Sequence, residues 1–539
     1  MARTAKKHMF QENRRTKLFT LGAICFGLFM VMLDNTVVNL ALPTIQTKLN
    51  AGLSELQWIV DAFTLLLASL MLTGGTLGDL YGRKRAFISG LVVFTAGSLL
   101  CALSPTIQIL IGGRALQGLG AAVMMPSTLS ILTNTFTDPR ERAQAIGIWA
   151  GVSGIALALG PALGGIMVDA LGWQSIFYIN VPIGLIAFGI AIKLVPESKN
   201  PEGRSLDIMG QVLAVAGLAA LTYAFIEANT YGWRSATIIT LLAGGMMALV
   251  AFGLWEVRVK SPMLQFAFFK NITFLGSNLV GVFVSFGFFG MIFFLGLYMQ
   301  QVQGYTPAQA GVRQLAATLA VMVSAIASGR IVARIGARIP IAIGMGLVGG
   351  AILAFTTVGA DALYGSYWWI LTVMGVGTGL VMSPMTTAVM SSVPPARAGM
   401  ASATLNTTRQ VGGVFGIAVL GSIVTGRFIT DLRTGLGALH LPSTVVETVL
   451  AQARQGVGAS HDGQAPPAIE KALKAAFTSG MHHGLWYAGG VVLVGAVVGA
   501  IMIRGTAPHH ETARHAAAKA ALEAEGPESS VEAALPECD

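Results

Sequence analysis

Near the end of a long apolar run that begins around Leu18 stands an aspartate, Asp34, in the stretch Leu33-Asp-Asn-Thr-Val-Val-Asn-Leu-Ala-Leu-Pro43. No basic residue lies within several turns of it on its own segment, and the run is long enough to cross a bilayer. A carboxylate at that depth costs on the order of 2.5–3.5 kcal/mol on insertion scales, so its default reading is a proton or cation handle. Arg114 is the natural counterpart. It lies mid-segment in Leu110-Ile-Gly-Gly-Arg114-Ala-Leu-Gln117-Gly118, with Gln117 and Gly118 on its face at i,i+3 and i,i+4. Arginine stays protonated and so does not titrate, but it holds a nearby carboxylate ionised and releases it on protonation. We expect Asp34 to carry the proton and Arg114 to tune it; the alternative is an ion pair that only joins helices. Asp61, just after Gln57 and Trp58, is a second acid, placed to meet a proton or a cationic solute near one mouth, or else simply water. Trp58 reads as an interface anchor.

The elements that must position these groups are membrane helices. With 539 residues, a mean hydropathy of +0.69, 54% hydrophobic and 11% charged residues, the chain reads as an all-α polytopic membrane protein. Cys25, Cys101 and Cys538 are too far apart for a disulfide framework or a metal spacing. The basic stretch Met1–Lys17 lacks a cleavage site after the first apolar run, which is expected to be a retained helix. The net charge of +9 is distributed by side. Lys17, Arg83-Lys84-Arg85, Arg140, Arg142, Arg334, Arg338 and Arg504 share one side, whereas the other holds Lys48, Arg234 and a few more in one long loop. This positive-inside bias places both termini in the cytoplasm and excludes nucleic acid as the partner.

About fourteen runs of spanning length follow one another, from roughly 17–42 to 483–504. They divide the chain into a segment 1–16, a six-helix bundle 17–200, an inserted pair 201–262, a second six-helix bundle 263–504 and a tail 505–539. A long extracytoplasmic loop, 427–481, contains two stretches with the pattern of short amphipathic surface helices, near Pro442–Glu447 and Pro467–Phe477. A weak repeat links the halves. Gly75, Gly82 and Arg83 bracket Asp79 in one connection; Gly329, Gly336 and Arg338 recur at like spacing in another, with Ala333 where the acid stood. Two bundles rocking about a central site are implied.

Gly75-Thr-Leu-Gly-Asp79-Leu-Tyr-Gly82-Arg83-Lys84-Arg85 resembles the loop signature of the major facilitator superfamily. Leu33–Pro43, Leu110–Gly120, Gly160-Pro161-Ala-Leu-Gly164-Gly165, Phe177–Gly184 and Gly399–Gly413 are similar to motifs of its fourteen-helix drug–proton antiporters. The resemblance spans most of Thr16–Arg504. It implies two six-helix bundles with two extra helices, and export of a hydrophobic drug or antibiotic across the plasma membrane by alternating access. It also implies a proton gradient as the energy source, no cofactor or metal, lipid surroundings and a monomer. An exporter of a lipid, siderophore or other metabolite in the same fold is the first rival; a membrane-embedded enzyme or scaffold is the second.

Roles follow from the same resemblance. Gly75, Asp79, Gly82 and Arg83 form a cytoplasmic gate, in which the carboxylate accepts from a helix N-terminus and an arginine only when that side is closed. Gly160, Pro161, Gly164 and Gly165 provide a hinge or seal with small faces. Cavity candidates are Asn39, Gln117, Phe286, Phe289, Phe293, Asn406, Arg409 and Gln410, since aromatic walls with few polar groups tolerate varied hydrophobic ligands. Arg313 departs from the family pattern: facing the cavity it disfavours cationic substrates, whereas snorkelling outward it leaves them admissible.

Overall fold

The structure, a computed structural model, describes residues 2–199, 205–259, 262–394, 397–455 and 466–504, with side chains from Thr16 onward. Its first bundle comprises α1 (Ala2–Leu49), α2 (Leu53–Tyr81), α3 (Arg83–Ala102), α4 (Ile107–Thr135) and α5 (Pro139–Leu171). A sixth span follows, built of the turn α6 (Ser175–Tyr178) and α7 (Asn180–Leu194). Next come α8 (Ile208–Tyr231) and α9 (Ala236–Arg258). The second bundle comprises α10 (Ile272–Leu297, prolonged by a π-turn to Val302), α11 (Pro307–Ile335), α12 (Arg338–Phe355), α13 (Tyr364–Ser391) and α14 (Ala398–Ala438). After the short α15 (Ser443–Gln455), α16 (Pro467–Met502) completes it. Among the described residues there are 14 helices long and apolar enough to cross a membrane, and no strand.

Local chemistry sets the helix ends. Asp138 Oδ1 accepts from the amides of Arg140 and Glu141 at the start of α5, and Asn271 Oδ1 from those of Thr273 and Phe274 at the start of α10. Thr306 and Gln309 form a reciprocal capping box before α11. The two loops of the sequence repeat turn on a glycine with positive φ, Gly82 at 118° and Gly336 at 76°, which explains the shared second glycine.

The long loop differs from expectation. Its second amphipathic stretch is the first turns of α16, because no proline interrupts the chain between Pro467 and the apolar run and the helix propagates. For the same reason the preceding helix runs on to Ala438, and α15 alone is a separate surface helix. The tail 505–539 lies outside the described residues.

We call the end holding Thr16 and Met502 proximal and the end holding Leu49 and Leu53 distal. The two bundles meet distally. Gln57 Nε2 on α2 donates to the Ile417 carbonyl of α14 (2.8 Å), Gln300 Nε2 to the Leu40 carbonyl (3.1 Å) and Thr318 Oγ1 on α11 to the Ala158 carbonyl of α5 (2.8 Å). Gly165 rests on the Pro307 carbonyl and Gly311 on the Pro161 carbonyl, so closely that a Cβ at either would collide with backbone. The apolar core is correspondingly continuous across both bundles distally, from Leu33 and Val37 to Met299 and Leu420. Proximally the bundles part. Gly147, Gly151 and Gly329 have nothing within 4 Å of where a Cβ would sit, and Val323 and Ile326 are 61% and 66% exposed. One mouth is shut and the other open.

Candidate functional site

Asp34 and Arg114 are brought together, at 1% and 0% exposure. The aspartate is saturated with donors: Arg114 Nη1 to Oδ2, Gln117 Nε2 to Oδ1 (3.0 Å) and Asn180 Nδ2 to Oδ1 (3.3 Å). Each donor comes from a helix whose register the sequence sets. Arg114 and Gln117 are one turn apart on α4, and Asn180 opens α7. The guanidinium is held in turn. Its Nε donates to the Ile59 carbonyl (2.8 Å), Nη1 also reaches Gln117 Oε1 (2.8 Å), and its carbon lies 4.4 Å from the Phe63 ring centroid. Gln117 Nε2 also donates to Ser98 Oγ (2.7 Å), tying in α3.

Buried ion pairs persist only when their remaining donors and acceptors are satisfied, and this one is. It joins α1, α4, α7 and, through Ser98 and Ile59, α3 and α2. The carboxylate is thus enclosed inside the first bundle rather than turned to an open central chamber. Its hydrogen-bond partners Arg114, Gln117 and Asn180 all belong to the first bundle. Ser98, Asn180 and Phe63 complete the network and were not singled out as site residues from sequence. Asn180 carried a signal, as a lone amide within an apolar segment; Ser98 and Phe63 carried none.

Asp61 is different. It is 0% exposed and neither carboxyl oxygen has a hydrogen-bond partner. It lies one turn from Gln57 on α2, the residue that bonds α14 across the bundles. Water, the alternative considered for it, has no access there. Trp58, near the distal end of α2, is half-buried against α8: its indole donates to Glu227 (3.2 Å) and its ring lies tilted beside Tyr223, with centroids 5.8 Å apart.

The other candidates fall in three places. Asn39 is 5% exposed, with Oδ1 unpartnered and its own backbone carbonyl against Gly296 of α10. On the proximal half of α14, Asn406 is exposed while Arg409 and Gln410 are half-buried, and Arg409 Nε is buried without a partner. Phe286 and Phe289 are half-buried on α10, but Phe293 is 0% exposed and packs edge-on against Phe294 (5.0 Å). Phe293 is therefore a core residue and not a cavity wall, because it points at the helices behind it. Arg313 is half-buried near the distal end: its guanidinium covers the Tyr305 ring at 3.9 Å, Nη1 donates to the Gln309 carbonyl, and Nε is buried without a partner.

At the proximal loop Arg83 grips Asp79 through Nε and Nη2, both at 2.9 Å, within the first bundle. A residue not foreseen organises this loop. Glu197, just beyond α7, accepts from the amide of Lys84 (3.0 Å) at the start of α3, and its carboxylate fills the space beside Gly82 where a Cβ would stand. Gly75 makes only an ordinary contact with Pro126. At the hinge stretch, Gly160 and Gly164 press on Thr36 and Val37 of α1, while Pro161 and Gly165 face α11.

A profile of the Major Facilitator Superfamily matches residues 24–417. The chain is 37% identical over 443 residues to the multidrug resistance protein Stp of Mycobacterium tuberculosis, covering 81% of each. It is 33% identical over 492 residues to the tetracenomycin C resistance and export protein of Streptomyces glaucescens, covering 89% of this chain and 90% of that one. Among solved structures, a bacterial homolog of the human lysosomal transporter Spinster, in an inward-facing and occupied conformation, superposes with a TM-score of 0.62. That likeness is at 17% identity over 90% of this chain and 96% of that one, and concerns the fold. The chain is a multi-pass membrane transporter, which sets aside the enzyme or scaffold alternative. It belongs to the Major Facilitator Superfamily.

Proposed function

We propose that this chain exports a hydrophobic drug or antibiotic across the plasma membrane in exchange for protons, by alternating access. The observation that carries the reading is the enclosed Asp34–Arg114 network in a bundle that meets its partner at one end only. A carboxylate whose charge is balanced by one fixed guanidinium has two states of different net charge, and protonation removes the reason for Arg114 to stay where it is. A change in α1 and α4 is then transmitted to the faces that α1 and α5 present to the second bundle. Asp61, buried beside the inter-bundle contact of Gln57, is a second proton site in this reading. The named substrates of the relatives support a small-molecule drug as cargo.

The basic residues Lys17, Arg83, Lys84, Arg85, Arg142 and Arg338 at the proximal end support a cytoplasmic assignment for it, and with it both termini. In this reading the conformation is inward-facing, with Gly160–Gly165 as the seam; the Asp79–Arg83 pair is formed while the proximal end is parted, so it braces the first bundle's own loop and does not act as a latch that forms only on closure. Cavity walls from Phe286, Phe289 and Gln410 suit an apolar ligand. Energetics permit the exchange: one proton falling through about 100 mV and one pH unit yields roughly 3.7 kcal/mol, enough for a gradient of about 500-fold for a neutral substrate. The test is substrate-driven proton release in proteoliposomes, comparing the native chain with Asp34→Asn. Loss of release with retained substrate binding is expected; normal coupling in the variant overturns the assignment of Asp34. Drug susceptibility of cells with and without the gene separates drug export from export of a metabolite.

A further inference from the structure

The inserted pair touches both bundles, but not in the same way. Along its length α8 is bonded to α2: Ser54 Oγ donates to the Ile226 carbonyl (3.5 Å), Trp58 to Glu227, and, toward the proximal end, Gln211 Nε2 to the Ser69 carbonyl (3.0 Å), with Thr73 on the Gln211 amide oxygen. Its contacts with α14 lie at the distal end. Asn229 Nδ2 donates to the Ser422 carbonyl (2.7 Å) and reaches Ser422 Oγ (3.2 Å), and the Phe225 ring meets Phe415 edge-on with centroids 6.3 Å apart. These contacts flank the direct bond from Gln57 to Ile417, at the mouth that is shut.

We infer that α8 is a moving part of the first bundle and that Phe225 and Asn229 are positioning residues, clasping α14 to hold the distal mouth closed until the transporter turns over. The physical argument is one of reach. A helix fixed to α2 at both ends travels with α2, whereas a contact made at one end only is broken when α2 and α14 separate there. In the apolar surroundings of a membrane, a hydrogen bond between an amide side chain and a backbone carbonyl opposes that separation. The inserted pair is thereby more than a lipid-facing appendage: it adds a third element to each distal opening, and its strength biases which mouth is open. The inference rests on alternating access as proposed above.

The test uses purified full-length protein with Cys25, Cys101 and Cys538 changed to serine, and one reporter cysteine at each mouth. I417C reports the distal contact, where Ile417 is 2% exposed, and A150C the parted proximal face, where Ala150 is exposed. The rate of labelling by a hydrophilic maleimide is measured for each. In F225A/N229A, labelling at I417C is expected to rise roughly fivefold, the factor one hydrogen bond of ordinary net strength represents, and labelling at A150C to fall by the much smaller fraction that the majority state loses. Q211A, which cuts only an α8–α2 bond, should move neither. Q57A breaks the direct inter-bundle bond and serves as the reference for a true shift. If Q57A moves both reporters in opposite directions and F225A/N229A moves neither, the clasp is refuted while alternating access stands. If labelling rises at both mouths in F225A/N229A, the residues are merely structural and the clasp is refuted as well. If no variant gives opposite changes, the clasp falls together with the alternating-access reading beneath it.

Discussion

Asp34 and Asp61 lie on neighbouring helices, are equally hidden from solvent, and are held in opposite ways. Asp34 receives three donors from two other helices and faces a guanidinium that is itself braced by a backbone carbonyl and an aromatic ring. Asp61 receives none. The first acid is part of what holds its bundle together, so altering it disturbs structure and chemistry at once. The second contributes no bond to the fold and stands beside the seam between bundles. Burial alone therefore does not mark an acid's role; the count of donors around it separates an acid that also holds its bundle together from one that contributes no bond.

Substitutions test that contrast most directly through the thermal melt of the purified protein, read beside substrate-driven proton release. The largest effect is expected for Asp34→Ala. It leaves Arg114 buried without its counter-charge, at a cost of about 3–5 kcal/mol, and abolishes proton release. A melt unchanged from native would mean that the pair is not load-sharing and would break the comparison. Gln117→Leu comes next, since it removes a donor to Asp34 and the link to Ser98; about 1.5–3 kcal/mol is expected, with weakened coupling. Asn180→Ala removes the longest of the three bonds, at 3.3 Å, and should cost only about 0.5–1.5 kcal/mol of stability, the smallest drop in melting temperature of the three. Asp61→Asn sharpens the comparison from the other side. No bond is lost, so the melting temperature should stay at or above the native value while proton release falls. A large drop in its melting temperature would show that Asp61 has a structural partner after all.

The two loops of the internal repeat make a second, quieter contrast. Both turn on a positive-φ glycine; the loop at Gly82 carries an acid–arginine pair and a carboxylate cap, whereas Ala333 stands where the other loop would need its acid. Glu197→Ala is expected to lower stability by about 1 kcal/mol through loss of the cap on α3, read as a lower melting temperature.

Much of this was legible in the chain itself. Membrane helices must satisfy their backbone internally and bury twenty or so apolar residues, so hydropathy yields their number and approximate limits without any partner. An acid or arginine within such a run is costly, so Asp34, Asp61 and Arg114 stand out as soon as the runs are drawn. The spacing of Gln117 from Arg114 follows from helix geometry alone.

What the chain could not disclose depends on how helices face one another. Phe293 and Phe289 differ by one turn, yet one is core and the other half-exposed, because the direction of each is set by packing against α13, α14 and α16. That Asp34 is enclosed while Asp61 is bare, that Glu197 reaches back to Gly82, and that α8 bridges the distal mouth are all contacts between segments far apart in sequence. Hydropathy measures the transfer of each segment into lipid, one at a time; rotation, tilt and partner choice arise only when the segments pack together, and in that step tertiary structure decided which charges are satisfied and which are left waiting.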